Sequence, residues 1–475
     1  MSAATPTPVI VDLDGSLVQS DTLLENVLLL LKQNPLLVFL LPCWLLRGKA
    51  VLKNRIAERV ELDAALLPYN SEVIDYIHKA RAEGRPCYLA TGATEKTANA
   101  VSEHLQLFDG IFSTSTDSNL TGSRKAELLN QHFGEGGYTY IGNHAVDLKI
   151  WRHAEKAVIV SNSKTLEKKA ASVCQQTQTI KPPRAGLKTW IKAIRVHQWV
   201  KNALLAVPLL TSHQWQNPEV LWLVVLGFFT FSLAASSVYV LNDLLDLAAD
   251  RQHPSKCKRP FAAGLITLHT GIALFPLLLL LAFSLALMLP LPFLMALAVY
   301  YVLTLAYSFK LKRIIMLDTI ILAALYTMRI IAGTLLIGVE FSFWLLAFSM
   351  FIFLSLALVK RYTELVMIRG EAGKQAIGRG YHAEDAEMVS SLGAASGYIA
   401  VMVFALYVNS EDVLALYTNP EILWLACPVL LYWISRVWII AHRGQMHDDP
   451  IVFAVKDLQS LITGLCVLGI FGLAL

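Results

Sequence analysis

The hydrophobic pattern changes character near residue 190. Before it, short apolar runs alternate with polar stretches; after it, long apolar runs are separated by short polar loops. Nine long runs lie near residues 192–211, 219–241, 266–288, 292–308, 314–337, 341–359, 390–409, 421–441 and 452–475. Backbone N–H and C=O groups cannot stay bare in lipid, so the pattern predicts nine transmembrane helices. In the first third, VIVDLDGSLVQSDTL reads as a strand that breaks at Asp12, Asp14 and Gly15. PCYLA, over 86–90, reads as a second strand ending in Thr91 and Gly92, and EKTANAVSEHL as a helix. GSRKAELL puts Lys125 at a helix start, and YTYIGNHAVDLKIW gives a third strand ending in Gly142, Asn143 and Asp147. Strands alternating with helices predict a parallel sheet.

The fold class expected is therefore multi-domain. An α/β, Rossmann-like domain over 1–160 joins an all-α polytopic bundle over 190–475. Residues 161–189, with KTLEKKAAS, a Gln/Thr run and KPPRAG, read as a polar linker. Between the first two strands lies LLENVLLLLKQNPLLVFLLPCWLL, residues 23–46, interrupted by Lys32, Asn34, Pro35 and Pro42. Neither half reaches the ~20 residues of a span. The segment reads either as an insertion dipping into the membrane surface or as a buried cap hairpin.

Composition reinforces the membrane reading. Of 475 residues 55% are hydrophobic and 16% charged, and mean hydropathy is +0.51, too apolar for an ordinary soluble enzyme. A net charge of +4 argues against a nucleic-acid partner. The six cysteines have no CxxC or Cys/His spacing, so neither a disulfide framework nor zinc is expected. The first ten residues lack a signal-peptide pattern, which places the N-terminus in the cytosol. The loops after the second, fourth, sixth and eighth runs carry Arg251, Lys256, Lys258, Arg259; Lys310, Lys312, Arg313; Lys360, Arg361, Arg369, Lys374, Arg379; and Arg443. The alternate loops HQWQNP, LPLP, GVE and NSEDVLALYTNP hold no Lys or Arg. That asymmetry predicts a multi-pass inner (plasma) membrane protein with basic loops in the cytosol and the C-terminus outside.

The chemistry concentrates in SSVYVLNDLLDLAADRQHPSKCKRPFAAG, 236–264. Asn242, Asp243, Asp246 and Asp250 fall at spacings that put the three aspartates on one helix face. Gathered carboxylates beside a membrane run suit Mg²⁺, which bridges protein oxygens to substrate phosphates. Lys256, Lys258 and Arg259 supply the counter-charge that a diphosphate needs.

Two resemblances follow from these motifs. DxDGS with a later Thr, Lys and GNxxxD resembles the haloacid dehalogenase phosphatase superfamily over about 9–160. The resemblance implies Asp12 as nucleophile, Asp14 as general acid/base, Thr91 and Lys125 as phosphate clamps, and Mg²⁺ held by Asp12, Asp14 and Asp147. Asn143 departs from the acidic residue usual there, which puts turnover in question. NDxxDxxxD closing the second of nine helices resembles the UbiA-type membrane prenyltransferases from about Thr189 onward. In place of a second aspartate-rich motif the chain has YSFKLKRIIMLD, with Tyr307, Lys312 and Asp318.

RVHQWVKN (with Lys201 and Asn202), LALVKRYTEL (with Lys360 and Arg361) and MHDDPIVFAVKD look like the phosphoribosyltransferase branch of that family. Its members join phosphoribosyl diphosphate to a polyprenyl phosphate. A fused phosphatase would then remove the product's 5-phosphate. The alternatives are an aromatic prenyltransferase using a polyprenyl diphosphate, and a non-catalytic lipid-binding or transport protein. Prenyl length and oligomeric state are not set by the sequence.

Overall fold

A computed structural model describes residues 6–114, 120–367, 380–446 and 449–475. The chain folds as two compact units: Met1–Ile194 with Val240–Phe275, and Arg195–Tyr239 with Pro276–Leu475. The acidic stretch thus belongs to the unit that begins the chain, a grouping that the expected 190–475 boundary did not contain.

The first unit is built on six parallel strands, β1 (Val9–Val11), β2 (Cys87–Thr94), β3 (Gly110–Thr114), β4 (Thr139–Gly142), β5 (Lys156–Val160) and β6 (Gln176–Ile180), in the order β3-β2-β1-β4-β5-β6. Alternate residues of β1 feed opposite faces. Val9 and Val11 pack with Val73, Ile77, Leu89 and Val101, while Ile10 packs with Tyr138, Tyr140, Trp151 and Ile159. Both faces are buried, which is why these strands read as short continuous apolar runs. The strand order reverses between β1 and β4, the crevice where open α/β sheets bind ligands. Loops after those two strands carry Asp12, Asp14 and Asn143, Asp147.

The expected linker is corrected. Lys164–Val173 is helical and β6 pairs with β5 from Lys156↔Gln176 to Val160↔Ile180. β6 is an edge strand with three exposed residues, so QTQTI lacks the apolar signal of an inner strand.

In the 23–46 segment, α1 (Thr22–Gln33) is capped by Asp21, which accepts from Leu24 N at 3.0 Å. Asn34 and Pro35 end it; a 3₁₀ turn, Pro35–Phe39, and α2 (Leu41–Leu46) follow. Gly48 turns the chain at φ +115° into α3 (Lys49–Ala57).

Among the described residues, seven helices are long and apolar enough to cross a membrane: α4 (Pro218–Leu245), Leu268–Ala286, Leu291–Phe309, Leu317–Ile337, Phe343–Met367, Ala383–Val408 and Pro420–His442. Pro450–Lys456 and Leu458–Ala474, bent by 82°, make an eighth if counted as one span. Nine were expected; among the described residues seven, or eight with the bent pair, meet that measure. Residues 192–211 form no single helix, because Arg195 takes the left-handed region and Pro208 interrupts the donor ladder, leaving a 3₁₀ stretch and one short helix. The bend in the last pair falls at Asp457, whose carboxylate caps the second helix through Ser460 N at 2.8 Å. Small residues let the second unit's helices close up. A Cβ on Gly393 would lie 2.1 Å from Trp438, and Ser355 donates to the Gly393 carbonyl at 2.7 Å. Arg369, Lys374 and Arg379, among the expected cytosolic cations, lie outside the described residues.

Candidate functional site

The first constellation sits at the C-terminal edge of the sheet. Lys125 is buried and donates from Nζ to Asp12 Oδ1 at 2.7 Å, the Ala90 carbonyl at 3.0 Å and the Tyr140 hydroxyl at 3.1 Å. Tyr140 donates in turn to Asp147 Oδ1 at 3.4 Å. Asp147 Oδ2 accepts the backbone N–H groups of Asn143 at 3.0 Å and His144 at 2.9 Å. Thr91 is fully buried, and its Oγ1 accepts from Ala93 N at 3.0 Å. Asp14 Oδ1 accepts Thr22 N at 2.7 Å, so the first amides of α1 steady it. Gly15, at φ +74°, lies so close to Asn143 that a Cβ would meet its Nδ2 at 2.0 Å. The structure therefore brings Asp12, Asp14, Thr91, Lys125 and Asp147 to one sheet edge.

Electrostatics divides these acids. Burial, with Asp21 and Asp12 nearby, pushes the Asp14 carboxyl up to about 7 against the Thr22 N–H. Burial and Asp12 push Asp147 up to about 6 against Lys125 and the two backbone amides. Asp14 is thereby poised to carry a proton near neutrality. Sequence reasoning missed Lys53, which α3 carries to the Gly92 carbonyl at 2.6 Å. Burial lowers its ammonium while Asp14 and Asp21 oppose the shift. No motif marks it, because it sits on a helix between the first two strands and away from the strand ends that carry the motifs.

The acidic stretch departs from the single helix face. α4 ends at Leu245, Asp246 leaves helical geometry at φ −100°, ψ 15°, and α5 (Leu247–Gln252) starts anew. Among the described residues no three acidic or His/Cys groups are gathered tightly enough to form a metal cluster. Asp243 and Asp250 still converge: Arg259 Nη1 lies 3.1 Å from the first and 2.6 Å from the second. A pair of hard oxygen donors aimed at one cationic point fits Mg²⁺. Asp246 pairs with Lys32 of α1 at 2.8 Å, and Arg251 makes a bidentate pair with Glu25 at 2.7 and 3.1 Å. Asn242 is half-buried; Lys256 and Lys258 are exposed.

The second unit has its own cation group. Lys201 and Lys360 reach the same oxygen, Asp449 Oδ2, at 2.8 and 3.0 Å. Burial raises the Asp449 carboxyl, but the two ammoniums prevail and hold it well below the usual range. Arg361 is fully buried. Its Nε lies 3.0 Å from Asp318 Oδ2 as an ion pair without hydrogen-bond geometry, Nη1 contacts Glu364, and Nη2 has no hydrogen-bond partner. Tyr381 donates to Asp318 Oδ1 at 2.7 Å. Tyr307 and Lys312 are half-buried. Asn202 is placed differently from expectation. Its amide donates to Ser232 Oγ at 2.9 Å and accepts from Arg329 Nε at 2.8 Å, so both ends are used inside the helical unit. Asp449 and Arg329 were not foreseen; Asp449 lay unremarked in MHDDPIVFAVKD, and Arg329 is a lone cation inside an apolar run, a recognised signal.

Comparison with known proteins agrees with the membrane half. The chain is 37% identical over 471 residues to the uncharacterized protein y4nM of Sinorhizobium fredii, covering 98% of this chain and 91% of that one. It is 37% identical to the nodulation protein NoeC of Azorhizobium caulinodans over 287 residues, 59% of this chain and 91% of that one. It is 30% identical to the decaprenyl-phosphate phosphoribosyltransferase of Mycolicibacterium smegmatis over 305 residues, 62% of this chain and 95% of that one. The model of the UbiA prenyltransferase family matches residues 203–456. With seven or more helices fit to cross a bilayer and that match over more than half its length, the chain is a multi-pass membrane protein belonging to the UbiA prenyltransferase family.

Proposed function

We propose that the membrane portion transfers a 5-phosphoribosyl group from phosphoribosyl diphosphate to a polyprenyl phosphate, in a Mg²⁺-dependent reaction. The observation that carries this reading is the cation group Lys201, Lys360 and Arg361, all on the second unit, with Nη2 of the fully buried Arg361 left without a hydrogen-bond partner. Cations in this number, with Lys201 and Arg361 buried and Lys360 partly so, suit substrates that together bring several phosphates. The single acid of YSFKLKRIIMLD, Asp318, is engaged by Arg361 and Tyr381, which leaves it poorly disposed as the second metal site an aromatic prenyltransferase needs. Likeness to the phosphoribosyltransferase of M. smegmatis along 95% of that protein supports the same choice.

Mg²⁺ at Asp243 and Asp250 would neutralise the leaving diphosphate. Arg259 already lies between those carboxylates, and with Lys256 and Lys258 on the same loop it can follow the phosphates. In the reaction a lipid-phosphate oxygen forms a bond to C1 of the ribose while the C1–O bond to diphosphate breaks, and diphosphate leaves with the electron pair. The basic loops would face the cytosol, as their asymmetry argues.

The sheet domain, in this reading, is a haloacid dehalogenase-type phosphatase that takes the 5-phosphate from the product. Asp12 attacks phosphorus, Lys125 and the Thr91 region hold the phosphoryl oxygens, and Asp14, its carboxyl pushed up to about 7 by burial, protonates the departing ribose oxygen. Water then hydrolyses the aspartyl phosphate. Asp12, Asp14 and Asp147 would hold Mg²⁺ at this edge, where it would offset the charge on the phosphoryl oxygens.

Purified protein incubated with radiolabelled phosphoribosyl diphosphate and a polyprenyl phosphate tests both steps. Lipid-linked pentose is the expected product. A prenylated aromatic ring formed from a polyprenyl diphosphate, with no lipid-linked pentose, would replace this reading with the aromatic prenyltransferase.

A further inference from the structure

The segment Pro35–Leu46 exposes an apolar surface that the other described residues leave uncovered. Leu36 is 72% exposed, Phe39 74% and Leu46 89%; Val38, Leu40 and Leu45 are also exposed. Trp44 is the one large side chain of the segment that is buried, with Leu37 and Leu41 half-buried beside it. Trp44 packs with Leu30, Ile56 and Val60, and the Arg59 guanidinium covers its ring at 4.9 Å. The hairpin is thus fixed by its tryptophan and presents its other side outward. So dense a patch on so short a segment marks an interaction surface. One 3₁₀ turn and a six-residue helix cannot span the ~30 Å hydrocarbon core.

Charge identifies what covers it. From Lys32 to Arg55 the sequence holds five cations and no carboxylate. Arg47 and Lys49 are exposed immediately beside the apolar tip. An apolar face bordered by cations is the pattern of an interfacial element on anionic lipid. Position agrees, and every contact involved lies within the first unit. The hairpin follows α1, which is held through Glu25–Arg251 and Lys32–Asp246 to the segment directly continuing α4, a helix apolar enough to cross a bilayer.

We propose that Pro35–Leu46 is a wedge that enters one leaflet to interfacial depth, with Arg47 and Lys49 on anionic headgroup phosphates, and so lays the sheet domain against the lipid surface. α3 follows this wedge, and Lys53 at its middle meets the Gly92 carbonyl near the sheet's C-terminal edge. A phosphate on a lipid carrier could then reach Asp12 while its chain stays in the leaflet. That consequence rests on the phosphatase reading; the seating of the wedge does not.

The test uses the full chain with photoreactive p-benzoylphenylalanine at Phe39 or, as a control, at Glu83, which is exposed at the sheet's opposite edge before β2. Each protein is reconstituted in phosphatidylcholine vesicles with or without phosphatidylglycerol, irradiated and analysed by mass spectrometry. Lipid adducts are expected at 39 and not at 83, in a yield that rises with phosphatidylglycerol and loses that rise in Arg47→Ala/Lys49→Ala. Adducts from 39 to protein, whether the same chain or a second copy, would overturn the wedge, as would equal lipid labelling at both positions. A yield indifferent to phosphatidylglycerol would overturn the role of the two cations. Absence of phosphate release from lipid-linked ribose 5-phosphate would remove the phosphatase reading and leave the crosslink at 39 as expected.

Discussion

Glu25→Gln isolates the ion pair that ties α1 to the acidic stretch. Glu25 and Arg251 have side chains only 5% and 8% exposed, and the two guanidinium contacts are 2.7 and 3.1 Å. Ser20 Oγ donates to Glu25 Oε1 at 2.6 Å, and Arg251 Nε donates to the Ala262 carbonyl at 2.8 Å, so each partner is also fixed by a second group. The amide keeps the volume but removes the charge and turns one acceptor into a donor facing Arg251. Breaking one side of a buried pair costs about 3–5 kcal/mol, because the remaining charge stays out of water uncompensated. In a unit of this size each kcal/mol moves the melting point by roughly 2–4 °C, giving a drop of roughly 6–20 °C. Glu58→Gln is the control. Its pair with Arg55 is 3.9 Å long with both side chains about half exposed or more, so its loss should cost under about 0.5 kcal/mol. Thermal unfolding of purified full-length protein, read by limited proteolysis of the sheet unit, measures both. Glu25→Met with Arg251→Met should recover much of the loss, since no orphaned charge remains. Equal melting points for Glu25→Gln and Glu58→Gln would refute the assignment of a buried pair.

Four further outcomes are expected. Asp12→Asn should leave phosphoribosyl transfer intact while lipid-linked ribose 5-phosphate replaces lipid-linked ribose, as mass spectrometry of the lipids would show; unchanged product ratios would make the sheet domain a docking module. Asp243→Asn removes one of two converging oxygen charges and should abolish transfer in the radiolabel assay, with a smaller drop in melting point than Glu25→Gln because Arg259 is partly exposed and keeps its 2.6 Å contact with Asp250. Asp449→Asn leaves Lys201 and Lys360 facing each other, a loss of about 3 kcal/mol or more at neutral pH; because Asp449's folded carboxyl is held below the usual value, its stabilisation is present above about pH 4 and fades on acidification, so wild-type and variant melting points should converge in acid. Gly15→Ala meets both φ +74° and Asn143 Nδ2 at 2.0 Å, so a penalty above about 1–2 kcal/mol is expected from thermal unfolding, with phosphate release lost alongside.

Legibility in the sequence tracked how local each signal is. The strand ends at Asp12 and Gly142 were visible because a buried parallel strand is a continuous apolar run that stops abruptly at its polar, ligand-facing end, whereas β2 runs on past Thr91 to Thr94 through polar residues. β6 escaped because one of its edges has no strand to cover it, and QTQTI carries the polarity of a loop. The long helices were readable from hydropathy alone, whereas 192–211 has span-like hydropathy but a backbone broken around Arg195 and Pro208. Hydropathy reports solvent preference, and it says nothing about whether the hydrogen-bond ladder runs unbroken.

The acidic stretch shows why motif spacing stops short of a site. Reading Asp243, Asp246 and Asp250 on one face assumes an unbroken helix, and the backbone leaves helical geometry at Asp246. What then decides their environment comes from far away in sequence: Lys32 reaches Asp246, and Glu25 reaches Arg251 across 226 positions. In the second unit Lys201 and Asp449 meet across 248 positions. None of these partners carries a local pattern, since a buried ion pair is specified by the fold that brings its halves together. Lys32 and Glu25 were assigned by sequence to an insertion of the sheet domain, and their ion pairs make that insertion a counter-charge for the motif that names the family. A transferase severed from its sheet domain would therefore lose the Lys32 contact to Asp246 and the Glu25 contact to Arg251, and the two proposed steps would be coupled by electrostatics as well as by the peptide that links them.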